Sequence, residues 1–140
     1  MDPKVKDAIF QAVETEPFAR QLKMKLIELE DGYSKVEMVY RPDEMNNIYQ
    51  RAHGGAVFAL IDEAFETACQ TDGTIAVALN VNVTYISSPE PGVQLMATAK
   101  EISRTKRTAN YEIKVADENQ NLIASCQALA FRTGKPIPFL

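Results

Sequence analysis

The run HGGAVFALIDEAFETAC, residues 53–69, decides how the rest of the chain is read. The fourteen residues after Gly55 contain neither glycine nor proline. Wound at about 100° per residue, Val57, Leu60, Ile61, Ala64, Phe65 and Ala68, with Phe58, cover a wide arc. A helix apolar over so much of its surface is one the remaining domain buries. Its polar arc carries Asp62, Glu63 and Glu66. Asp62 borders the apolar arc. Glu63 lies about 100° further round and is expected to be the more exposed of the two.

Downstream of Asp72-Gly73 the period changes from helix to strand. Ile75, Val77, Leu79, Val81, Val83 and Tyr85 alternate with Ala76, Ala78, Asn80, Asn82 and Thr84, which predicts a long strand with one apolar face. The turn Ser88-Pro89-Glu90-Pro91-Gly92 follows. Three more strands are predicted at about 93–103, 107–117 and 122–132, joined by Arg104-Thr105-Lys106 and Glu118-Asn119-Gln120-Asn121. Pro136 and Pro138 suggest a loose tail. Upstream, residues 3–15 read as a short helix, with Pro3 in its first turn and Val5, Ile9 and Val13 at helical spacing. Pro17 is expected to end it. Strands are predicted at 21–30 and 33–40 around Asp31-Gly32, then a polar loop at 41–52.

The order is a helix, two strands, a long buried helix and four strands, joined mainly by hairpins. That is an α+β domain with an antiparallel sheet. One sheet must cover one long helix, and curling around it is the natural solution. The outer face and the edge strands stay open, so self-association is expected.

Composition bounds the class. The 140 residues are the size of one domain, 1–140; 46% are apolar and 24% charged, an ordinary globular balance. A net charge of −4 argues against a nucleic-acid-binding protein. No apolar run approaches the roughly 20 residues of a membrane span, and Met1-Asp2-Pro3-Lys4 is no signal peptide, so a cytoplasmic protein is expected. Cys69 and Cys126 lie far apart among apolar residues and read as reduced, buried thiols. Clustered zinc ligands are absent.

The run from Asn47 through His53-Gly54-Gly55 to Leu60-Ile61-Asp62-Glu63-Ala64-Phe65 resembles the hotdog thioesterases of the phenylacetate-degradation (PaaI-like) type. The resemblance spans nearly the whole chain: an Asn six before the His, two glycines after it, and a carboxylate nine after it. It implies a hotdog fold, with about six antiparallel strands wrapped around one long central helix, plus a short N-terminal helix. It implies hydrolysis of acyl-CoA thioesters to free CoA and an acid, without metal or redox cofactor, by homodimers often paired into homotetramers.

The chemistry of the residues agrees. A thioester carbonyl needs a donor where negative charge develops. A helix N-terminus offers unpaired N–H groups and a positive dipole end, and glycines let backbone approach a ligand. The resemblance places the polarising N–H on Gly54, beside Gly55. Asp62 is the candidate general base or nucleophile, its basicity raised by partial desolvation. It lies nine residues beyond His53, about 13 Å along the helix, so a neighbouring antiparallel chain must bring it to the carbonyl. Asn47 is a candidate to hold water or the carboxylate, or else a turn residue. His53, the sole histidine, either caps the helix or orients the loop and thioester. Some relatives carry a hydroxyl residue on the following strand; here Ala78, Leu79 and Asn80 stand nearby, with Asn80 a candidate for positioning water. Arg104, Lys106 and Arg107 at a hairpin tip are candidate phosphate contacts, and Arg41 and Arg51 flank the loop. Phe58, Phe65, Tyr85 and Met96 either line an acyl pocket or pack the core.

No Gly-x-Ser-x-Gly or glycine-rich phosphate motif is present. The alternatives left open are a hotdog enoyl-CoA hydratase or dehydratase, and a non-catalytic acyl-CoA-binding protein.

Overall fold

The computed structural model describes residues 1–140. Its elements are helix α1 (Pro3–Thr15), helix α2 (Pro17–Gln21), strands β1 (Lys25–Glu30) and β2 (Tyr33–Val39), helix α3 (Pro42–Met45), helix α4 (Gly54–Cys69), then strands β3 (Thr74–Tyr85), β4 (Gln94–Arg104), β5 (Thr108–Asp117) and β6 (Leu122–Pro136). The six strands form one antiparallel sheet in the order β1-β2-β4-β5-β6-β3. The sheet wraps α4, which touches every strand. No helix is long and apolar enough to cross a membrane.

The apolar arc of α4 is buried as its periodicity predicts: Leu60, Ile61, Ala64 and Ala68 are 0% exposed, and Phe65 meets Tyr111 of β5 edge to face at 5.4 Å between ring centroids. They belong to one cluster of 32 buried residues. Ser34 and Thr67 pair their hydroxyls inside it. Ser34 Oγ donates to the Ala64 carbonyl at 3.0 Å and lies 2.8 Å from Thr67 Oγ1. Cys69 and Cys126 are buried free thiols on different elements, and burial pushes Cys69 up to about 12 and Cys126 up to about 11.

Four local expectations need correcting. Pro17 does not merely end α1; it opens α2, where its missing N–H costs nothing because a first-turn N–H has no helical acceptor. The strand expected from residue 21 begins at Lys25, because Lys23 takes a left-handed φ of 56° and Met24 N–H bonds back to the Ala19 carbonyl. The polar loop at 41–52 contains α3. The tail is not loose: β6 runs to Pro136, and Ile137 is 3% exposed with its N–H on the Gly73 carbonyl.

Strand β3 departs most from its pattern. Register irregularities between Thr74 and Ala76 and between Ala78 and Asn80 interrupt the alternation. Ala76 turns inward, whereas Val77 and Leu79 are 47% and 57% exposed. With β6 on one side only, β3 is a long open edge carrying apolar side chains to solvent.

Candidate functional site

The start of α4 is a loop-to-helix junction held from three directions. His53 is extended (φ −65°, ψ 133°), and its Nδ1 accepts from the Gly55 N–H at 2.8 Å, so the ring caps the helix. Its backbone N–H bonds the Met45 carbonyl at 2.7 Å. From β3, the Tyr85 hydroxyl donates to the Gly54 carbonyl at 3.1 Å. A Cβ on Gly54 would lie 3.2 Å from the Tyr85 ring, so the glycine permits this approach.

These contacts distribute the first N–H groups of α4 unequally. Gly55 gives its N–H to the cap, while Ala56 and Val57 give theirs to the His53 carbonyl at 3.0 and 3.4 Å. Gly54, the first helical residue, has no acceptor a turn earlier within the helix. Its N–H is thus the one left for a ligand, at the positive end of the helix dipole. Gly54 lines a cavity of about 330 Å³ with Asn47, Arg51, Val57, Tyr85 and Ser87.

Asn47 joins this cavity with half of its amide committed. Its Oδ1 accepts from the Tyr49 and Arg51 N–H groups at 2.9 and 3.1 Å, a turn bond, which leaves the NH₂ end for a ligand. The cap likewise commits His53 Nδ1 as an acceptor, so Nε2 carries the ring proton.

Asp62 lies elsewhere. It lines a hollow of about 240 Å³ between α4 and β3, with Phe65, Glu66, Cys69, Ala76, Val77 and Ala78. The carboxylate is exposed, yet partial loss of water in this hollow raises its pKa above the ordinary Asp value. Glu66, one turn on, is pushed up to about 7 by desolvation and by the charges of Glu16 and Asp62. The expectation for Glu63 is overturned. It is the buried acid, 3% exposed, pushed up to about 8 by desolvation first and then by Glu16, Glu66 and Asp62. The wrapped sheet and the end of α1 close over the arc that a bare helical wheel leaves polar.

One chain therefore brings together Gly54, Asn47 and His53, with Gly55 beside them, and keeps Asp62 apart. Asn80 is exposed at a β3 irregularity and does not line the Asp62 hollow, whereas Ala78 does. Arg104 is committed elsewhere: its guanidinium meets Glu101 at 2.9 Å, Asp31 at 3.3 Å and Asp72 at 3.6 Å. Lys106 and Arg107 are exposed beside it, and neither is in an ion pair. This tip lies near Asp72, just beyond the C-terminal end of α4, a helix length from Gly54. Arg41 pairs with Glu44 at 2.8 Å. Arg51 is exposed and is the one lysine or arginine that lines the Gly54 cavity. Tyr85, which the sequence offered for an acyl pocket or the core, and Ser87 reach that cavity from thirty residues downstream; nothing in the local sequence marks Ser87.

The family model described as Thioesterase superfamily matches residues 49–124. A protein of Archaeoglobus fulgidus is 32% identical over 99% of this chain and 87% of its own. The acyl-coenzyme A thioesterase PaaI of Escherichia coli is 30% identical over 89% of this chain and 88% of its own. The solved structure of E. coli PaaI superposes with a TM-score of 0.90, covering 96% of both chains at 29% identity. A mutant of the phenylacetic acid degradation protein PaaI of Thermus thermophilus gives 0.78 at 34% identity, covering 84% of this chain and 99% of the other. The wrapped sheet and central helix are thus the hotdog fold of these proteins, and the chain belongs to the thioesterase superfamily as a thioester-hydrolysing enzyme.

Proposed function

We propose that the protein hydrolyses acyl-CoA thioesters to free CoA and a carboxylic acid, at sites built from two chains. One chain contributes the start of α4. The Gly54 N–H bonds the thioester oxygen and strengthens that bond as the oxygen gains negative charge. The Asn47 amide NH₂ and His53 Nε2–H are the remaining donors for orienting the carbonyl or the attacking water. The second chain contributes Asp62, which takes a proton from water or attacks the carbonyl itself. Its raised pKa makes it a stronger base than a solvated Asp. Arg51, and Lys106 and Arg107 of the hairpin tip, are the candidates to meet the phosphates of CoA.

The observation that carries this reading is the separation of the two halves. The unpaired N–H and the carboxylate occupy different hollows about 12 Å apart along one rigid helix, so neither half reaches the other within a chain. The exposed apolar edge of β3 borders the Asp62 hollow through Ala76, Val77 and Ala78, where a second copy covers it. We place the assembly as a homodimer, with a homotetramer as its paired form.

The test is release of free thiol from a panel of acyl-CoAs, with Asp62→Asn as control. Turnover that disappears in the control supports the proposal. Binding without thiol release would replace it with a carrier, and hydration of crotonyl-CoA without thiol release would replace it with a hydratase.

A further inference from the structure

Beside the Asp62 hollow, which Glu66 also lines, three carboxylates converge where the end of α1 meets α4. Glu16 comes from the α1–α2 junction, and Glu63 and Glu66 from adjoining positions on α4. One oxygen of each lies within 4.8 Å of the other two. Glu63 is 3% exposed, its carboxyl lies within hydrogen-bonding reach of that of Glu16, and no N–H or hydroxyl donor reaches its Oε1. No lysine, arginine or histidine forms an ion pair with any of the three. Glu16 and Glu66 also line a cavity of about 50 Å³, closed by Thr67, Gln70 and Phe139, with room for an ion and a few waters.

A buried carboxyl oxygen without a donor is costly, and like charges gathered beside it add to the cost. A proton shared between Glu16 and Glu63 relieves two of the acids and leaves Glu66 facing them. A divalent cation relieves all three. Calcium takes carboxylate oxygens at about 2.3–2.6 Å in a flexible shell completed by water, so three oxygens within 4.8 Å of one another can share one ion, whereas magnesium dehydrates reluctantly and keeps most of its waters. An all-oxygen set without sulfur or imidazole also selects a hard cation.

We propose that Glu16, Glu63 and Glu66 form a binding site for a calcium-class divalent cation, which pins the end of α1 to α4. The role is structural: the ion takes no part in thioester cleavage, and it holds the helix that carries Asp62.

The experiment strips the protein with EDTA, titrates it with calcium chloride by calorimetry, and follows thermal melting with and without calcium. One cation per chain and a higher melting temperature are expected. In Glu16→Gln, affinity falls at least about tenfold, the scale of losing even an outer partner of a metal site, and the rise in melting temperature disappears. Glu90→Gln, in the exposed turn after β3, keeps both. Three results would overturn the proposal: no binding at millimolar calcium, binding unchanged in Glu16→Gln, or equal loss in Glu90→Gln. A protonated-carboxyl infrared band that persists in saturating calcium would do so as well, and would assign the cluster to a shared proton. Glu16→Gln changes a partly exposed residue at a helix junction, so it tests the site without disturbing the buried Glu63 in the core.

Discussion

Asp62 and Glu63 are neighbours on one helix with opposite fates. A helical wheel ranks them by angle from the apolar arc and places Glu63 outward. The fold inverts that order, because the end of α1 packs over the Glu63 side while the α4–β3 hollow leaves Asp62 accessible. Asp62→Asn is expected to lower kcat by at least about 100-fold, the scale of losing a general base, with melting temperature held or raised because a partly desolvated charge is removed. Steady-state kinetics with a melting curve checks both. His53 makes a different prediction. Its visible task is the 2.8 Å cap on the Gly55 N–H, so His53→Ala is expected to cost about 1 kcal/mol of stability, measured by urea unfolding. It also releases a second N–H at the helix start, so turnover should fall less than in Asp62→Asn. The candidate residues were picked out through the family resemblance, because taken singly Asn47 also reads as a turn residue, His53 as a helix cap and Asp62 as a solvated helix acid. The resemblance also pointed to the Gly54 N–H, but the cap contact that occupies the Gly55 N–H exists only in the folded loop.

At the scale of elements, α4 was the most legible part of the molecule: its apolar period predicted the burial of Leu60, Ile61, Ala64, Phe65 and Ala68. Its far end is held by a network that the sequence did not announce. Asp72, just past α4, pairs with Arg132 of β6 and lies 3.6 Å from Arg104 of β4. Burial works against the Asp72 charge, but bonds from the Thr74 hydroxyl and N–H and from Arg132 outweigh it and hold the carboxyl below its usual value. A carboxylate depressed in the folded state stabilises above its unfolded pKa, and that stability is lost as pH falls through the folded value. Melting temperature should therefore fall between about pH 5 and pH 3, and Asp72→Asn should flatten that part of the curve while lowering stability near neutrality. The same network redefines the basic hairpin tip. Arg104 is committed to Glu101, Asp31 and Asp72, which leaves Lys106 and Arg107 as its unpaired charges. Strand β3 was predicted as an element, but its buried face was not, because two register irregularities reset the two-residue alternation on which that reading depended.

For the whole molecule, the prediction concerns assembly. If each site draws Gly54 from one chain and Asp62 from another, two inactive variants complement each other. Gly54→Pro removes the N–H at a first-turn position whose backbone tolerates proline, with the Tyr85 ring shifting by a few tenths of an ångström to admit the Cβ, and Asp62→Asn removes the acid. Mixed, unfolded and reassembled at equal amounts, half of the dimers are heterodimers with one intact site of two, so about a quarter of wild-type turnover returns. Sites contained within single chains return none. Light scattering checks that the mixture has re-formed dimers. By itself, the sequence determined the order of the six strands and the two longest helices, the burial of the central helix and the antiparallel class, because each is written in local periodicity and turn chemistry. The tertiary structure alone decided which acid is buried, which N–H the His53 cap consumes, which arginine is already neutralised, and which hollow each half of the candidate site occupies. Each of these depends on groups distant in sequence meeting in space, and no local pattern encodes such a meeting.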